Sequence, residues 1–181
     1  MKIVVAGIPG AGKTTVLNEA LKIKEMEVVN YGDIMFEMAQ QDGIENRDKM
    51  RKMPQEKQRE WQVKAAEKIA KMENVIIDTH STIKTPYGYM PGLPYSILKI
   101  IKPDRIVLVE AGAEEILARR KKDEEIRERD AEGVEEIETH QMMNRMAAMT
   151  YAVMAGATVK IVKNRQGKLE EAAREIASVF D

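Results

Sequence analysis

The chain has 181 residues, of which 44% are hydrophobic and 33% charged, and its formal net charge at pH 7 is −1. This length suits a single domain with a sizeable core, and the balanced charge gives no general attraction to nucleic acid. The sequence contains no cysteine, which excludes disulfides and thiolate metal sites. No apolar run approaches the roughly 18 residues of a membrane span, and the first strand pattern starts at once, so we expect a cytoplasmic protein without a signal peptide or membrane partner.

The first fifteen residues carry the most informative pattern. An apolar run at residues 3–6 leads into Gly7-Ile8-Pro9-Gly10-Ala11-Gly12-Lys13-Thr14, which matches G-x-x-x-x-G-K-[ST], and a helix-compatible stretch follows. The glycines let backbone N–H groups turn toward phosphate oxygens, and the start of the helix adds its dipole. Lys13 adds a positive charge and Thr14 offers a hydroxyl to Mg²⁺. The pattern therefore predicts a nucleoside triphosphate site.

Strand and helix patterns alternate through the next hundred residues. An apolar stretch at 27–30 precedes a helix predicted from about Asp33 to Gln41, and apolar side chains at helical spacing predict a long helix at 54–72. Residues 74–78 predict a buried strand that ends in Asp78. Residues 85–94 hold three prolines and two glycines, which predicts a loop, and a short helix is expected at 95–101.

The second half continues the alternation. It predicts a strand at 104–110, helices at 113–122 and 134–155, an edge strand at 158–164 and a closing helix at 168–179. Met142, Met146, Met149 and Val153 form one stripe of the long helix, which indicates core or a subunit interface. Five strands separated by helices imply an α/β fold with a parallel sheet covered on both faces. Ligands are then expected beyond the carboxyl ends of the strands.

Three further side chains are candidates for the site or its surroundings. Asp78 ends a buried strand beside the phosphate loop, where its carboxylate can hold Mg²⁺ waters, although capping a turn is the alternative. His80 can donate to a phosphate or simply hydrogen-bond its own loop. His140 has no carboxylate–histidine partner at metal spacing, so we expect a structural role.

Arginines cluster between residues 119 and 130. A solvated, salt-bridged helix face is the general alternative for such a run. Here the run follows the fourth strand of the predicted sheet and projects over the triphosphate, where guanidinium groups can grip phosphoryl oxygens. The arginines expected to face phosphate are Arg119, Arg129 and Arg145, with Arg120 or Arg127 able to replace either of the first two. Arg119 is equally able to lie flat on a base.

Several short segments, spread from residue 3 to about 168, form a narrower signature. They are Gly7–Thr15, Asn30-Tyr31-Gly32-Asp33, Arg47-Asp48-Lys49-Met50-Arg51, Asp78-Thr79-His80, Pro91-Gly92-Leu93-Pro94, Arg119-Arg120, Arg127-Glu128-Arg129-Asp130 and Asn144-Arg145. Together they resemble an adenylate kinase of the archaeal type, a branch of the P-loop nucleoside monophosphate kinases. The resemblance implies a three-layer P-loop NTPase sandwich: a five-stranded parallel sheet of order 2-3-1-4-5 with helices on both faces and a short lid.

The resemblance also implies an activity and a role for separate segments of the chain. The reaction is reversible, Mg²⁺-dependent phosphoryl transfer, ATP + AMP = 2 ADP, by a homotrimer of single-domain chains covering residues 1–181. The AMP-binding segment lies at about 31–73 and the lid at about 119–133. Between Arg119 and Arg145 the chain lacks room for a long zinc-bearing lid.

Individual roles carry over onto matching positions. ATP contacts fall on Gly7, Ile8, Pro9, Gly10, Ala11, Gly12, Lys13, Thr14, Thr15, Arg119 and Asn164, the last within the loop 163–167 near the donor adenine. AMP contacts fall on Gly32, Asp33, Arg47 or Arg51, His80, Gly88 and Pro91. The catalytic candidates are Lys13, Arg119, Arg129 and Arg145, and Thr14 and Asp78 hold Mg²⁺, partly through water.

This chain departs from the bacterial and eukaryotic pattern at two places. Phe36 stands where those kinases have an arginine after Gly-Asp, and Asp78-Thr79-His80-Ser81-Thr82 replaces Asp-Gly-Phe-Pro-Arg. Two acceptor arginines are therefore missing, and Arg47 or Arg51 must stand in for them.

Two other functions fit the phosphate loop. A kinase of a small alcohol or acid would need a base such as Asp33 or Asp78. An adenylate-kinase-like assembly ATPase is the second alternative, since its third strand also ends in an Asp-x-His pattern. A GTPase switch is excluded because residues 163–166 do not supply Asn-Lys-x-Asp. Testing AMP as an acceptor separates the first two functions from adenylate kinase activity.

Overall fold

The computed structural model describes residues 1–124 and 133–181. Their strands are β1 Lys2–Ala6, β2 Glu27–Asn30, β3 Val75–Asp78, β4 Thr82–Thr85, β5 Gly88–Pro91, β6 Arg105–Glu110 and β7 Thr158–Lys163. Their helices are α1 Lys13–Ile23, α2 Tyr31–Gln41, α3 Arg47–Lys52, α4 Gln55–Ala70, α5 Tyr95–Ile101, α6 Ala113–Glu124, α7 Val134–Ala155 and α8 Leu169–Ala177, followed by a 3-10 turn at Ser178–Phe180. None of these helices is both long and apolar enough to cross a lipid bilayer, as far as the described part of the chain goes.

Five parallel strands form the central sheet in the order β2-β3-β1-β6-β7. Without the β4–β5 hairpin, this is the predicted order 2-3-1-4-5, which is confirmed. The central strand β1 alternates: Ile3 and Val5 join one hydrophobic cluster, and Val4 and Ala6 join the other. The sheet is therefore covered by helices on both faces, and the carboxyl ends of β1, β3 and β6 meet at one edge.

A clamp on one face joins α2 to α4. The indole of the fully buried Trp61 in α4 donates a 2.7 Å hydrogen bond from Nε1 to the carboxylate of Asp42, the residue that caps α2. This bond and the Lys57 cation beside Asp42 lower the pKa of that carboxyl below its usual value. The clamp fixes α2, the helix that begins the predicted acceptor segment.

The predicted loop at 85–94 is wrong in part, because it contains strand β5. β4 and β5 pair antiparallel, with Thr82 opposite Pro91, and Gly88 takes a φ of 113° at the turn. The hairpin is a separate two-stranded sheet, so its proline does not have to donate to a neighbouring strand. Helix α3 was also absent from the prediction, although the side chain of Asn46 caps it by accepting from the Lys49 N–H at 2.8 Å.

Buried polar side chains of α7 anchor the start of this hairpin. Asn144 Oδ1 accepts from the Thr82 N–H at 3.0 Å and from the Thr82 hydroxyl at 2.6 Å. The Tyr151 hydroxyl donates to the Ser81 carbonyl at 2.7 Å. His140 is also buried, with its ring centroid 5.1 Å from that of Tyr89, which agrees with the structural role expected for it. The segment after β3 is thus held on α7.

The opposite face of α7 is open. Met142, Met146, Met149 and Val153 are 60%, 59%, 55% and 79% exposed, so the stripe does not belong to the core of this chain. The exposure shows that the core explanation is wrong, and the subunit interface stays a prediction.

Candidate nucleotide site

The predicted phosphate loop connects β1 to α1, which begins at Lys13. Gly10 and Gly12 take φ angles of 90° and 83°, in the left-handed region that favours glycine. A Cβ on Gly12 would also collide with the side-chain amide of Asn164. Both glycines are therefore required by the backbone path of this loop.

Asn164, directly after β7, locks this loop in place. Its side chain is buried and donates from Nδ2 to the Ala11 carbonyl at 2.9 Å, while its own N–H donates to the Glu110 carbonyl at 2.7 Å. The predicted donor residues Ala11 and Asn164 are thus brought together across the sheet edge.

Arg119 joins the same group from α6. Its Nη1 lies 3.2 Å from the Gly10 carbonyl and 3.3 Å from the Ala11 carbonyl, and its Nη2 donates to the Asn164 carbonyl at 3.2 Å. A guanidinium tied to backbone carbonyls on both sides forms a flat platform. This arrangement favours the base-facing alternative for Arg119 over a direct phosphate contact.

An open cleft of about 250 Å³ lies beside this platform. Its lining consists of Gly12, Thr15, Arg119, Asn164, Arg165, Gln166, Gly167 and Leu169. The lining joins the end of the phosphate loop to the loop after β7, which is where the donor base was predicted. Among the described residues that line it, none is a carboxylate that could accept hydrogen bonds from the N–H groups of guanine.

Lys13 and Asp78 form an ion pair at the carboxyl ends of β1 and β3. Lys13 also donates to the Thr79 carbonyl at 3.2 Å, and Asn30 donates to the second Asp78 oxygen at 3.2 Å. Asn30 in turn caps α2 by accepting from the Asp33 N–H at 3.1 Å. The predicted lysine and carboxylate are therefore in contact, and one amide joins them to the start of α2.

The oxygens at this point suit a hard divalent cation. Asp78 supplies a partly buried carboxylate, and Thr14 at the start of α1 is exposed. Across residues 1–124 and 133–181, no cluster of three or more histidine or carboxylate side chains could hold a metal by itself. This donor set fits Mg²⁺, which binds through one or two carboxylates together with water and substrate phosphates.

The predicted acceptor residues gather at the start of α2. Arg47 forms an ion pair with Asp33, its guanidinium carbon lies 5.6 Å from the centroid of the Phe36 ring, and Gly32 is adjacent. Arg51 instead lies 3.7 Å from Asp48 on the exposed side of α3. The structure thus brings Arg47, and not Arg51, to Gly32 and Asp33.

His80 follows β3 and reaches solvent at the same edge. Neighbouring protein atoms and the Lys13 charge lower the pKa of its imidazole below 6.5, against a smaller opposing effect of Asp78. The lowered pKa favours the neutral ring, which can offer a phosphate a hydrogen bond without a full charge. Pro91 lies in the hairpin strand opposite Thr82, and Gly88 forms the open turn of that hairpin.

The predicted phosphate-facing Arg145 forms an ion pair that sequence reasoning missed. Glu110 ends β6, is only 2% exposed, and accepts from Arg145 Nε at 2.7 Å and Nη2 at 2.6 Å. Lys163 donates to the same carboxylate at 2.5 Å. Burial raises the pKa of Glu110, but the bonds and charges of the two cations outweigh burial and lower it overall. The only available signal was a carboxylate at the end of a buried strand, as for Asp78.

The remaining predicted arginines are Arg120, Arg127 and Arg129. Arg120 donates from Nε to the Pro9 carbonyl at 2.8 Å, so it contacts the phosphate loop from outside. Arg127 and Arg129 lie outside the described residues.

Comparisons with known proteins agree with this geometry. A family model described as an AAA domain matches residues 6–138. The adenylate kinase of Methanopyrus kandleri is 56% identical over 179 residues, which cover 96% of this chain and 94% of that protein. The adenylate kinase of Methanothermobacter thermautotrophicus is 53% identical over 183 residues, covering 99% and 98%.

Among solved structures, the fold is similar to shikimate kinase from Acinetobacter baumannii in complex with shikimate. The TM-score is 0.57 at 17% identity, over 98% of this chain and 91% of that one. At this identity the likeness shows the fold alone. The near-full-length identity to the two kinases is decisive, and it confirms the predicted resemblance: the chain belongs to the adenylate kinase family.

Proposed function

We propose that this chain catalyses reversible, Mg²⁺-dependent phosphoryl transfer between ATP and AMP to give two ADP. The observation that carries the proposal is 56% identity over nearly the whole chain to a protein named adenylate kinase. The arrangement of the site supports it, because a phosphate loop lies between a donor cleft with Arg119 and an acceptor group with Arg47.

The reaction requires neutralisation of the phosphate charge and alignment of the two phosphates. One phosphoanhydride replaces another, so the reaction is nearly thermoneutral. A phosphate monoester has a second pKa near 6, so the AMP phosphate is already an anionic nucleophile at pH 7 and no catalytic base is required. The protein has to bring the two phosphates together and exclude water.

On the donor side, the backbone of Gly7–Thr15 binds the ATP phosphates and Lys13 contributes its charge, while the base enters the cleft beside Arg119 and Asn164. In the structure Lys13 is paired with Asp78. We propose that phosphate takes over part of the contact to Lys13. Thr14 and Asp78 would hold Mg²⁺, partly through water, and the cation supplies charge neutralisation when bound.

On the acceptor side, Arg47 binds the AMP phosphate after leaving Asp33, and His80 adds a neutral N–H donor. Gly32 and Asp33 contact the nucleotide at the start of α2, within a segment of about 31–73, and the hairpin positions Gly88 and Pro91 border the same site. Arg51 is left out of this assignment because it faces Asp48.

Above both nucleotides, we propose that residues of about 119–133 act as a short lid, and that Arg129 and Arg145 neutralise the transferred phosphoryl group. A single arginine at such a transition state is worth about 10³–10⁵ in rate. Closure of a lid only over both nucleotides would prevent hydrolysis of ATP.

We propose a homotrimer, as the family resemblance implies, and the exposed methionine stripe of α7 supports a subunit contact. Met142, Met146, Met149 and Val153 together leave an apolar strip in solvent, and such strips mark interaction sites. We further propose that the enzyme acts in the cytoplasm, where its adenine nucleotide substrates are held in balance.

A coupled assay tests the proposed reaction. Mg·ATP is offered with AMP, CMP, UMP, GMP and shikimate in turn, and with no acceptor. We expect ADP formation that depends on AMP and is lost without Mg²⁺. Preference for shikimate would instead indicate a small-alcohol kinase, and ATP hydrolysis unaffected by AMP would indicate an assembly ATPase. Either result overturns the proposal.

A further inference from the structure

We propose that Glu110 is a positioning residue for phosphoryl transfer, which fixes the guanidinium of Arg145 with one edge turned toward the transferred group. The inference rests on the proposed role of Arg145, and it assigns a function to a carboxylate that touches neither nucleotide.

Glu110 holds the guanidinium of Arg145 at two points. Glu110 accepts from Nε and Nη2 of Arg145 at 2.7 and 2.6 Å, which is the side-on bidentate arrangement. In the part of the chain that the structure describes, these two bonds are the hydrogen bonds that Arg145 makes, so Nη1 stays available to a ligand. A planar guanidinium held at two of its nitrogens cannot rotate, and its third nitrogen then points in one direction.

Glu110 differs sharply in solvent exposure from the two cations that it binds. Glu110 is only 3% exposed in its side chain, whereas the side chains of Arg145 and Lys163 are 47% and 43% exposed. The buried carboxylate is therefore a fixed anchor point, and both half-exposed cations extend from it to solvent. Lys163 is the last residue of β7, beside the donor cleft, so the second cation is held at the same edge of the sheet.

Glu110 lies next to the phosphate loop. It ends β6, and this end of β6 abuts the phosphate loop, since a Cβ on Gly7 would lie 2.7 Å from the Val109 carbonyl. Arg145 is therefore anchored to the strand that borders the loop.

A neighbouring contact separates this role from simple attachment of α7. Gln141 already joins α7 to the chain after β6, donating to the Ala111 carbonyl at 2.9 Å and accepting from the Ala111 N–H at 3.2 Å. Since α7 has this independent anchor, removing the Glu110 charge should loosen the arginine without detaching the helix.

A double-mutant cycle on the full chain tests the proposal. Glu110→Gln keeps the shape of the side chain but removes its charge, and Arg145→Ala removes the guanidinium. We expect Glu110→Gln to lower kcat about 10- to 100-fold with KM for ATP and AMP within about threefold, as for a charge-assisted hydrogen bond that acts in the transition state. The double variant should lie within about threefold of Arg145→Ala alone, because both changes remove one function.

The matched control is Glu171→Gln, which removes an exposed carboxylate of α8 from its 2.6 Å ion pair with Lys168 and should leave kcat unchanged. Melting temperature and circular dichroism establish that each variant is folded. If Glu110→Gln does not fold, Glu110→Asp takes its place in the same cycle, since it keeps the charge and withdraws it by one methylene group.

The kinetic outcomes distinguish the role of Arg145 in the proposed function from the positioning role of Glu110. Near-normal turnover of Arg145→Ala would refute the role of Arg145 in the proposed function, and Glu110 would lose its assignment with it. If Arg145→Ala loses turnover, the positioning role is overturned by a normal kcat in Glu110→Gln, or by a double variant whose loss is the product of the two single losses.

Discussion

Arg47 and Arg51 lie one helical turn apart in α3, yet their surroundings assign them different roles. Arg47 faces Asp33 and the start of α2, and Arg51 faces Asp48 in solvent. We predict that Arg47→Ala raises KM for AMP about 10- to 100-fold, because a charge-assisted hydrogen bond contributes about 1.5–3 kcal/mol, with little change in KM for ATP. Steady-state kinetics with each nucleotide varied in turn measure the effect.

Arg51→Ala is the matched control for this prediction, since it removes the same charge from the same short helix. Its KM for AMP should stay within about twofold of the wild-type value, as expected for an exposed ion pair. The reverse result, with Arg51→Ala impaired and Arg47→Ala normal, would contradict the assignment of the acceptor phosphate.

At single residues, a sequence predicts well where one local pattern combines conformation and chemistry. The phosphate loop is such a pattern, and the structure places Asp78 beside it, in an ion pair with Lys13. Glu110 was missed because its partners Arg145 and Lys163 are 35 and 53 residues away, and no local spacing marks them. The choice between Arg47 and Arg51 likewise depended on how α3 packs beside α2.

The β4–β5 hairpin depends on one glycine that follows it. Gly92 donates to the Ser81 carbonyl at 2.8 Å, and a Cβ on it would overlap the His80 carbonyl. We predict that Gly92→Ala lowers the melting temperature by about 5–10 °C, since forcing extra volume against backbone costs about 1–3 kcal/mol. It should also raise KM for AMP, because the displaced segment carries His80.

Gly112→Ala is the control for this change. The nearest atoms to a Cβ at that position belong to Glu115 and lie 3.7 Å away, an ordinary contact. Scanning calorimetry of both variants decides the point: equal melting temperatures would mean that the close approach at Gly92 has no energetic consequence.

Elements with clear periodicity were predictable, and elements made by pairing were not. The range 134–155 of α7 and the range 95–101 of α5 agree with the structure at both ends, because apolar spacing defines a helix locally. Strand β5 was hidden among prolines and glycines, which normally indicate a loop. Its partner β4 ends at Thr85, where the predicted loop begins, so neither segment alone indicated a hairpin.

The stripe on α7 concerns the whole assembly. If Met142, Met146, Met149 and Val153 form the proposed subunit interface, Met146→Glu places a charge in an apolar contact and should dissociate the oligomer. Light scattering should then change from about 62 kDa, three times the 20.5 kDa chain mass, to the mass of one chain. Ile23→Glu, at a 53% exposed position of α1, should leave the mass unchanged. A wild-type mass of 20.5 kDa would refute the trimer.

At the scale of the whole molecule, the parallel sheet was predictable because strands that alternate with helices allow few arrangements, and its strand order was implied by the family resemblance. The family was recognisable because its short segments are spread over nearly the whole chain. How the separate segments meet was not predictable, since it depends on the register of β3 and β6 against β1.

The proposed function requires that two nucleotides bind on opposite sides of one phosphate loop. Diadenosine pentaphosphate, which joins two adenosines through one phosphate chain, tests it directly in a thermal unfolding experiment with Mg²⁺. At about 100 times its Kd, the mimic should raise the melting temperature by about 5–10 °C. The rise should exceed that with ATP or AMP at the same concentration, because the mimic occupies both sites and binds more tightly, and the mimic should compete with both substrates. No shift in melting temperature and no inhibition would contradict the account.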